Sequence, residues 1–130
     1  MNGFLRRLFG DRGERAAAKY LKSQGMQVIA RQYRTQWGEI DLIMLDGDTL
    51  VFVEVKTRES AERGRPEERV DRTKRTNSTK AALAFLKTHG QLGHRGRFDV
   101  VAVVWPKDSK TPEIKHIINA FEAVDFGQMY

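Results

Sequence analysis

Apolar and polar positions alternate along this chain in two different rhythms. From residue 11 to about 24 the rhythm is helical. Ala17, Tyr20, Leu21 and Gln24 fall on one side, Ala16 and Ala18 favour helix, and Gly25 is a natural stop. Asp11 stands where an N-cap belongs, with Glu14 three residues on in the capping-box position. Residues 26–33, centred on Val28 and Ile29, read as a strand. Two apolar runs follow at 40–45 and 50–55, with Asp46-Gly47-Asp48-Thr49 between them as a hairpin turn. The second run, Leu50-Val51-Phe52-Val53-Glu54-Val55, is apolar on both faces, which suits a strand in the middle of a covered sheet. The charged Glu54 inside it is the anomaly of the chain.

Residues 57–69 are polar, contain Gly64 and Pro66, and read as a loop. A second helix is expected over 70–88, charged in its first half and apolar from Ala81 to Leu86, and ending near Gly90. Residues 91–96 form a loop, 98–105 a strong strand stopped by Pro106, and 114–120 a last strand. No repeat, low-complexity segment or linker divides the chain. The order α-β-β-β-α-β-β predicts an α/β fold, one mixed sheet flanked by helices. It makes a single domain over 1–130, with a core at about 10–120 and a tail at 121–130.

The hairpin brings charged groups together. With Gly47-Asp48 as a two-residue turn, Asp41 is expected directly opposite Glu54, and Glu39 opposite Lys56. Opposed Cβ atoms lie about 5 Å apart. Two carboxylates that close lose hydration and repel, so one must protonate, pair with a cation, or share a metal. Two carboxylates with open positions suit Mg²⁺ (or Mn²⁺). Lys56 shares the face of Glu54 and can help deprotonate a metal-bound water or stabilise phosphorane charge. The plainer reading is a surface ion pair of Lys56 with Glu54 or Glu39.

Charge distribution sharpens the picture. The net charge is +6, split as +6 over residues 1–37, −4 over 38–57, +6 over 58–97 and −2 over 98–130. Basic flanks attract a polyanion, whereas an acidic island repels one unless a cation sits in it. Arg58, Arg65, Arg69, Arg72 and Lys74 therefore stand as candidate phosphate contacts on a basic segment beyond Lys56, against a plainer reading as a solvated face. Tyr33 and Trp37 could stack on bases, although core packing is commoner. Asp99 is expected to pair with an arginine or a turn, and His89, His94 and His116 have no metal-ligand spacing. With 40% hydrophobic and 31% charged residues the composition is that of an ordinary soluble domain. The absence of cysteine excludes disulfides and thiolate metal sites, and is compatible with a cytoplasmic location. No apolar run approaches a membrane span, and Arg6 and Arg7 interrupt the N-terminal apolar stretch, which does not read as a signal peptide.

The strings Gly38-Glu39-Ile40-Asp41-Leu42-Ile43 and Val51-Phe52-Val53-Glu54-Val55-Lys56-Thr57-Arg58 resemble the PD-(D/E)xK nuclease motif. With Gly13-Glu14, Lys74 and Arg97-Phe98-Asp99-Val100-Val101, the chain resembles more closely the small bacterial YraN-type family, which is similar to archaeal Holliday-junction resolvases. The resemblance covers about residues 10–105. It implies a restriction-endonuclease-like fold and a metal-dependent endonuclease acting on DNA, with branched DNA and a homodimer among the expectations. It also implies Glu14 as the helix-borne acid, Asp41 and Glu54 as metal ligands and Lys56 as the catalytic lysine. The proline expected before the motif aspartate is absent, and Ile40 stands there. The alternatives are a nucleic-acid-binding module or an accessory subunit with the nuclease fold and little turnover.

Overall fold

The computed structural model of the chain describes residues 3–60 and 71–123, the side chains of residues 4–7 apart. Two of the expected phosphate contacts, Arg65 and Arg69, lie outside the described residues. The elements run α1 (Gly3–Ser23), β1 (Gln27–Thr35), β2 (Gly38–Asp46), β3 (Thr49–Arg58), α2 (Arg72–Thr88), β4 (Gly96–Val104) and β5 (Glu113–Phe121). This is the α-β-β-β-α-β-β order that the sequence predicts. Among the described residues the strands form one sheet in the order β1-β2-β3-β4-β5. Only β3 and β4 are parallel, and α2 makes the crossover between them.

The doubly apolar β3 lies at the centre of the sheet, with α1 on one face and α2 on the other. Leu42, Met44, Val51, Val53, Val101 and Val103 pack with Ala17, Ala18 and Leu21 of α1. Ile43, Phe52, Phe98 and Val100 pack with Ala81, Ala82, Phe85 and Leu86 of α2. The alternation along β2, β3 and β4 thus feeds two cores, and each fully buried Leu or Val contributes about 1.5–3 kcal/mol. Phe121, expected in the tail, instead ends β5 in the α2 core, its ring stacked on Phe98 at 4.7 Å.

Two boundary differences matter for the site. First, α1 begins at Gly3, two turns before the expected start. Asp11 and Glu14 are therefore interior to the helix, and neither caps it. No proline stands between residues 3 and 10 and the helix runs through Gly10, so a plausible cap is overrun. Second, Thr57 and Arg58 belong to β3 and not to the following loop, because β4 pairs with them in parallel register and Trp105 N–H donates to Arg58 O at 2.7 Å. Asp71 caps α2, its carboxylate accepting from Lys74 N–H at 2.8 Å. No helix among the described residues is long and apolar enough to cross a membrane.

Candidate metal centre

The hairpin of β2 and β3 turns on Gly47-Asp48, with Gly47 in the left-handed region at φ +62°. Its ladder runs from Asp46↔Thr49 to Leu42↔Val53 and stops. Asp41 and Glu54 are next in that register, but they do not pair across it. Instead the Asp41 carboxylate accepts the Val55 N–H at 2.8 Å, standing in for a backbone acceptor. Ile40 then joins the α2 core with Ile43, whereas strict alternation would put it with Leu42 on the α1 side. The alternation lapses at Asp41, where β2 leaves β3. The expected face-to-face pair of Asp41 and Glu54 is corrected accordingly: the turn is even, yet the strands have parted before these residues meet. Glu39 likewise does not face Lys56, and pairs with Arg34 Nε at 3.1 Å.

The parted strands are covered by α1. A Cβ on Gly13 would collide with the Thr57 side chain, so this glycine lets the helix lie directly against β3. Glu14, one residue on, is only 8% exposed and aims into the gap. Carboxylate oxygens of Glu14, Glu39 and Asp41 all lie within 4.8 Å of one another. They line an open cleft of about 370 Å³ together with Asp11, Gln32 and Thr57. Burial pushes the Glu14 carboxyl up to about 7, helped by the charges of Asp41 and Glu39 and opposed by a hydrogen bond from Gln32. Burial likewise pushes Asp41 up to about 6, against the Val55 N–H, and the charge of Glu54 adds to the rise.

Glu54 sits beside this trio rather than within it. Its Oε1 accepts from Lys56 and from Lys74, each at 3.2 Å. Its Oε2 is buried and has no partner among the described residues. Three convergent carboxylates and a buried, unsatisfied carboxylate oxygen nearby are an all-oxygen donor set of the kind hard divalent cations take. The residues present fit Mg²⁺ or Mn²⁺.

The other expected site residues are distributed unevenly. Lys74 turns toward Glu54, while Arg72 is exposed at the start of α2 and Arg58 is half-buried at the end of β3. Two members of the cleft are not among the expected site residues. Glu39 is expected only opposite Lys56, although its spacing of two from Asp41 on one strand is the available signal. Gln32 carried no signal at all. It lies between the paired Arg31↔Leu42 and Tyr33↔Ile40, at the level of Asp41, and its backbone takes φ +50°. Its amide donates to Asp11 Oδ1 at 3.1 Å as well as to Glu14.

A second charged cluster lies elsewhere on the sheet. Asp99, 1% exposed, receives Arg97 Nε at 3.0 Å, His116 Nε2 at 2.7 Å and Asn119 N–H at 2.9 Å. Asp99 does pair with an arginine, as expected. His116, which had no expected role, is its other partner. Asn119 takes φ +54°, opposite the irregularity between Phe98 and Val100 in the β4–β5 pairing. Arg97 also reaches Asp46 at 3.0 Å. Burial works against the Arg97 charge, but Asp99 and Asp46 more than offset it and hold its pKa above the ordinary value.

Against known proteins, residues 13–103 match the model of the uncharacterised protein family UPF0102. A UPF0102 protein of Rhodopirellula baltica is 46% identical over 124 residues, covering 93% of this chain and 74% of that protein. One from Pelotomaculum thermopropionicum is 39% identical over 116 residues, covering 89% and 97%. One from Geobacter sulfurreducens is 45% identical over 117 residues, covering 89% and 90%. The matched stretch opens at Gly13 and holds Glu14, Glu39 and Asp41.

Proposed function

This chain belongs to the uncharacterised protein family UPF0102, and we propose that it is a divalent-metal-dependent endonuclease of restriction-endonuclease-like fold that hydrolyses phosphodiester bonds in DNA. One observation carries the reading. Glu14, Glu39 and Asp41 converge in an open cleft, and burial, with the charges of neighbouring carboxylates, holds two of them well above the ordinary carboxyl range. Folding alone does not reward such an arrangement, whereas a bound cation does. The parallel β3–β4 pair, with the acids at the parting of β2 from β3, supports the fold reading.

Glu14, Glu39 and Asp41 would hold the ion, with Glu54 Oε2 within the same acidic field. A bound Mg²⁺ supplies a polarised phosphoryl oxygen and an acidified water. The protein supplies the rest. Val55 N–H fixes the Asp41 carboxylate, Gly13 sets the approach of Glu14, and Arg34 holds Glu39. Lys56, tied to Glu54 and mostly shielded from solvent, would act as an ammonium that stabilises charge on the phosphorane. The basic stretches that flank the acidic island attract the polyanion. A second reading, a DNA-binding module without turnover, is favoured by the engagement of Lys56 and Lys74 on Glu54.

The test uses flap, four-way and duplex DNA with Mg²⁺ or Mn²⁺. Wild type is expected to cut at least one of them, and Asp41→Ala to cut none. Lys56→Ala is expected to cut about a hundredfold more slowly, with DNA affinity nearly unchanged. Cleavage by Lys56→Ala at the wild-type rate would reduce the lysine to an ion-pair residue. No cleavage by wild type with either metal would select the binding module.

A further inference from the structure

Beside the acidic cleft, between the β1–β2 hairpin and α2, lies a smaller groove of about 60 Å³ lined by Trp37, Glu39, Lys74, Asn77 and Ser78. Its hairpin wall is held in place from within. Thr35 Oγ1 accepts the Trp37 N–H at 3.1 Å and donates to Gly38 O at 2.9 Å. The half-buried indole of Trp37 is therefore presented on a fixed backbone.

Glu39 and Lys74 of this groove are ion-paired, but three of its polar groups are unused. Among the described residues, neither the Trp37 indole nor the side chains of Asn77 and Ser78 have a hydrogen-bond partner. The other tryptophan shows what a structural indole looks like here. Trp105 Nε1 donates to Ser109 O at 3.0 Å, and the Arg12 guanidinium lies 3.7 Å over its ring. Among the described residues Trp37 has no such engagement.

We infer that this groove is a subsite for one unpaired nucleobase of the strand bound in the neighbouring cleft. The inference rests on the nuclease reading for the scissile phosphate, but the groove makes its own case. An indole offers a stacking surface that takes any base. The Asn77 amide offers both a donor and an acceptor to a Watson–Crick edge, and the Ser78 hydroxyl either one. Glu39 accepts only, which suits an exocyclic amino group and repels a phosphate. A groove of this volume admits the edge of the base while its ring lies on the indole. In a duplex those edges are already paired, so only an unpaired nucleotide can fill it.

Position links the two sites. Glu39 lines both the groove and the cleft, and Ser78 also lines the crevice beneath Asp41 and Glu54. Lys74, on the groove wall with its Nζ on Glu54, stands between base and acids where a connecting phosphate would pass. Such a subsite selects DNA carrying a single-stranded nucleotide next to the cut, as at a flap, a gap or a junction.

The test measures metal-free binding of fluorescein-labelled single-stranded and duplex 20-mers, so it does not depend on cleavage. Wild type is expected to prefer the single strand. Trp37→Leu, which keeps apolar bulk at the hairpin, is expected to weaken single-strand binding about tenfold and leave duplex binding unchanged. Trp37→Phe is expected to restore most of the loss, and Asn77→Ala to even out differences between homopolymers. An equal loss on both DNAs, or no loss in Trp37→Leu, overturns the subsite even if the protein cuts DNA. A selective loss in a protein that never cuts upholds the subsite and sinks the nuclease reading alone.

Discussion

The molecule holds two groups of acids, one neutralised from within and the other left open. Asp99 is closed in by protein donors: Arg97, His116 and the Asn119 N–H leave its carboxylate saturated, and its side chain is 0% exposed. Glu14, Glu39 and Asp41 are gathered just as deliberately, yet Val55 N–H, Gln32 and Arg34 are the donors they receive, and the cleft above them is open. An acid that fastens strands brings its counter-charges with it. An acid without such donors keeps a raised pKa, the condition that a bound cation would relieve.

The contrast is most easily broken at Asp99. Asp99→Ala strands Arg97 and His116 in the interior and is expected to cost about 3–5 kcal/mol, read as a lowered urea midpoint. A loss under 1 kcal/mol would mean that the closed cluster fastens nothing.

The open cluster should respond in the opposite direction. Glu14 and Asp41 titrate near 7 and 6 in the folded protein, above their ordinary 4.5 and 3.8. Between about pH 4 and pH 7 the folded chain holds protons that the unfolded chain has released. The stability that these groups confer is therefore complete at low pH, declines as pH rises through the folded values, and is flat above. Asp41→Asn removes one of the charges and keeps an acceptor for Val55. In chelator at pH 8 it is expected to stabilise the protein by about 1–3 kcal/mol and to flatten the pH dependence. A destabilised Asp41→Asn would show the acids to be structural after all.

The smallest effect is expected at Gln32. Gln32→Gly relieves the left-handed backbone but loosens the chain, so net stability should stay within about 1 kcal/mol. With the amide gone, the Glu14 carboxyl should titrate higher still, as followed by carboxyl carbon NMR. An unmoved Glu14 would remove Gln32 from the site.

Most of the architecture was legible because it rests on local periodicity. The hairpin turn, the central β3, the α2 segment and the terminal strands all announce themselves in apolar spacing. The site was half legible for the same reason. Glu54 betrays itself as a charge in an apolar strand, and the even turn places Asp41 in its register. What could not be read is where β2 abandons β3, since a side chain that replaces a backbone acceptor leaves no mark on periodicity. Glu39 was lost with that splay. The cap at Asp11 misled because a capping signature inside a longer helix looks the same as one at its start. His116 meets Asp99 only through the fold.

The docking of α1 has a consequence for how the protein is made. Ala17, Ala18 and Leu21 share their core with Val101 and Val103 of β4, which are synthesised some eighty residues later. At about 5–20 residues per second that interval is roughly 4–16 s. Throughout it the nascent helix lacks its last partner. The core beneath α1 is thus complete only when β4 has paired with β3. A chain released before that point exposes an apolar helix face.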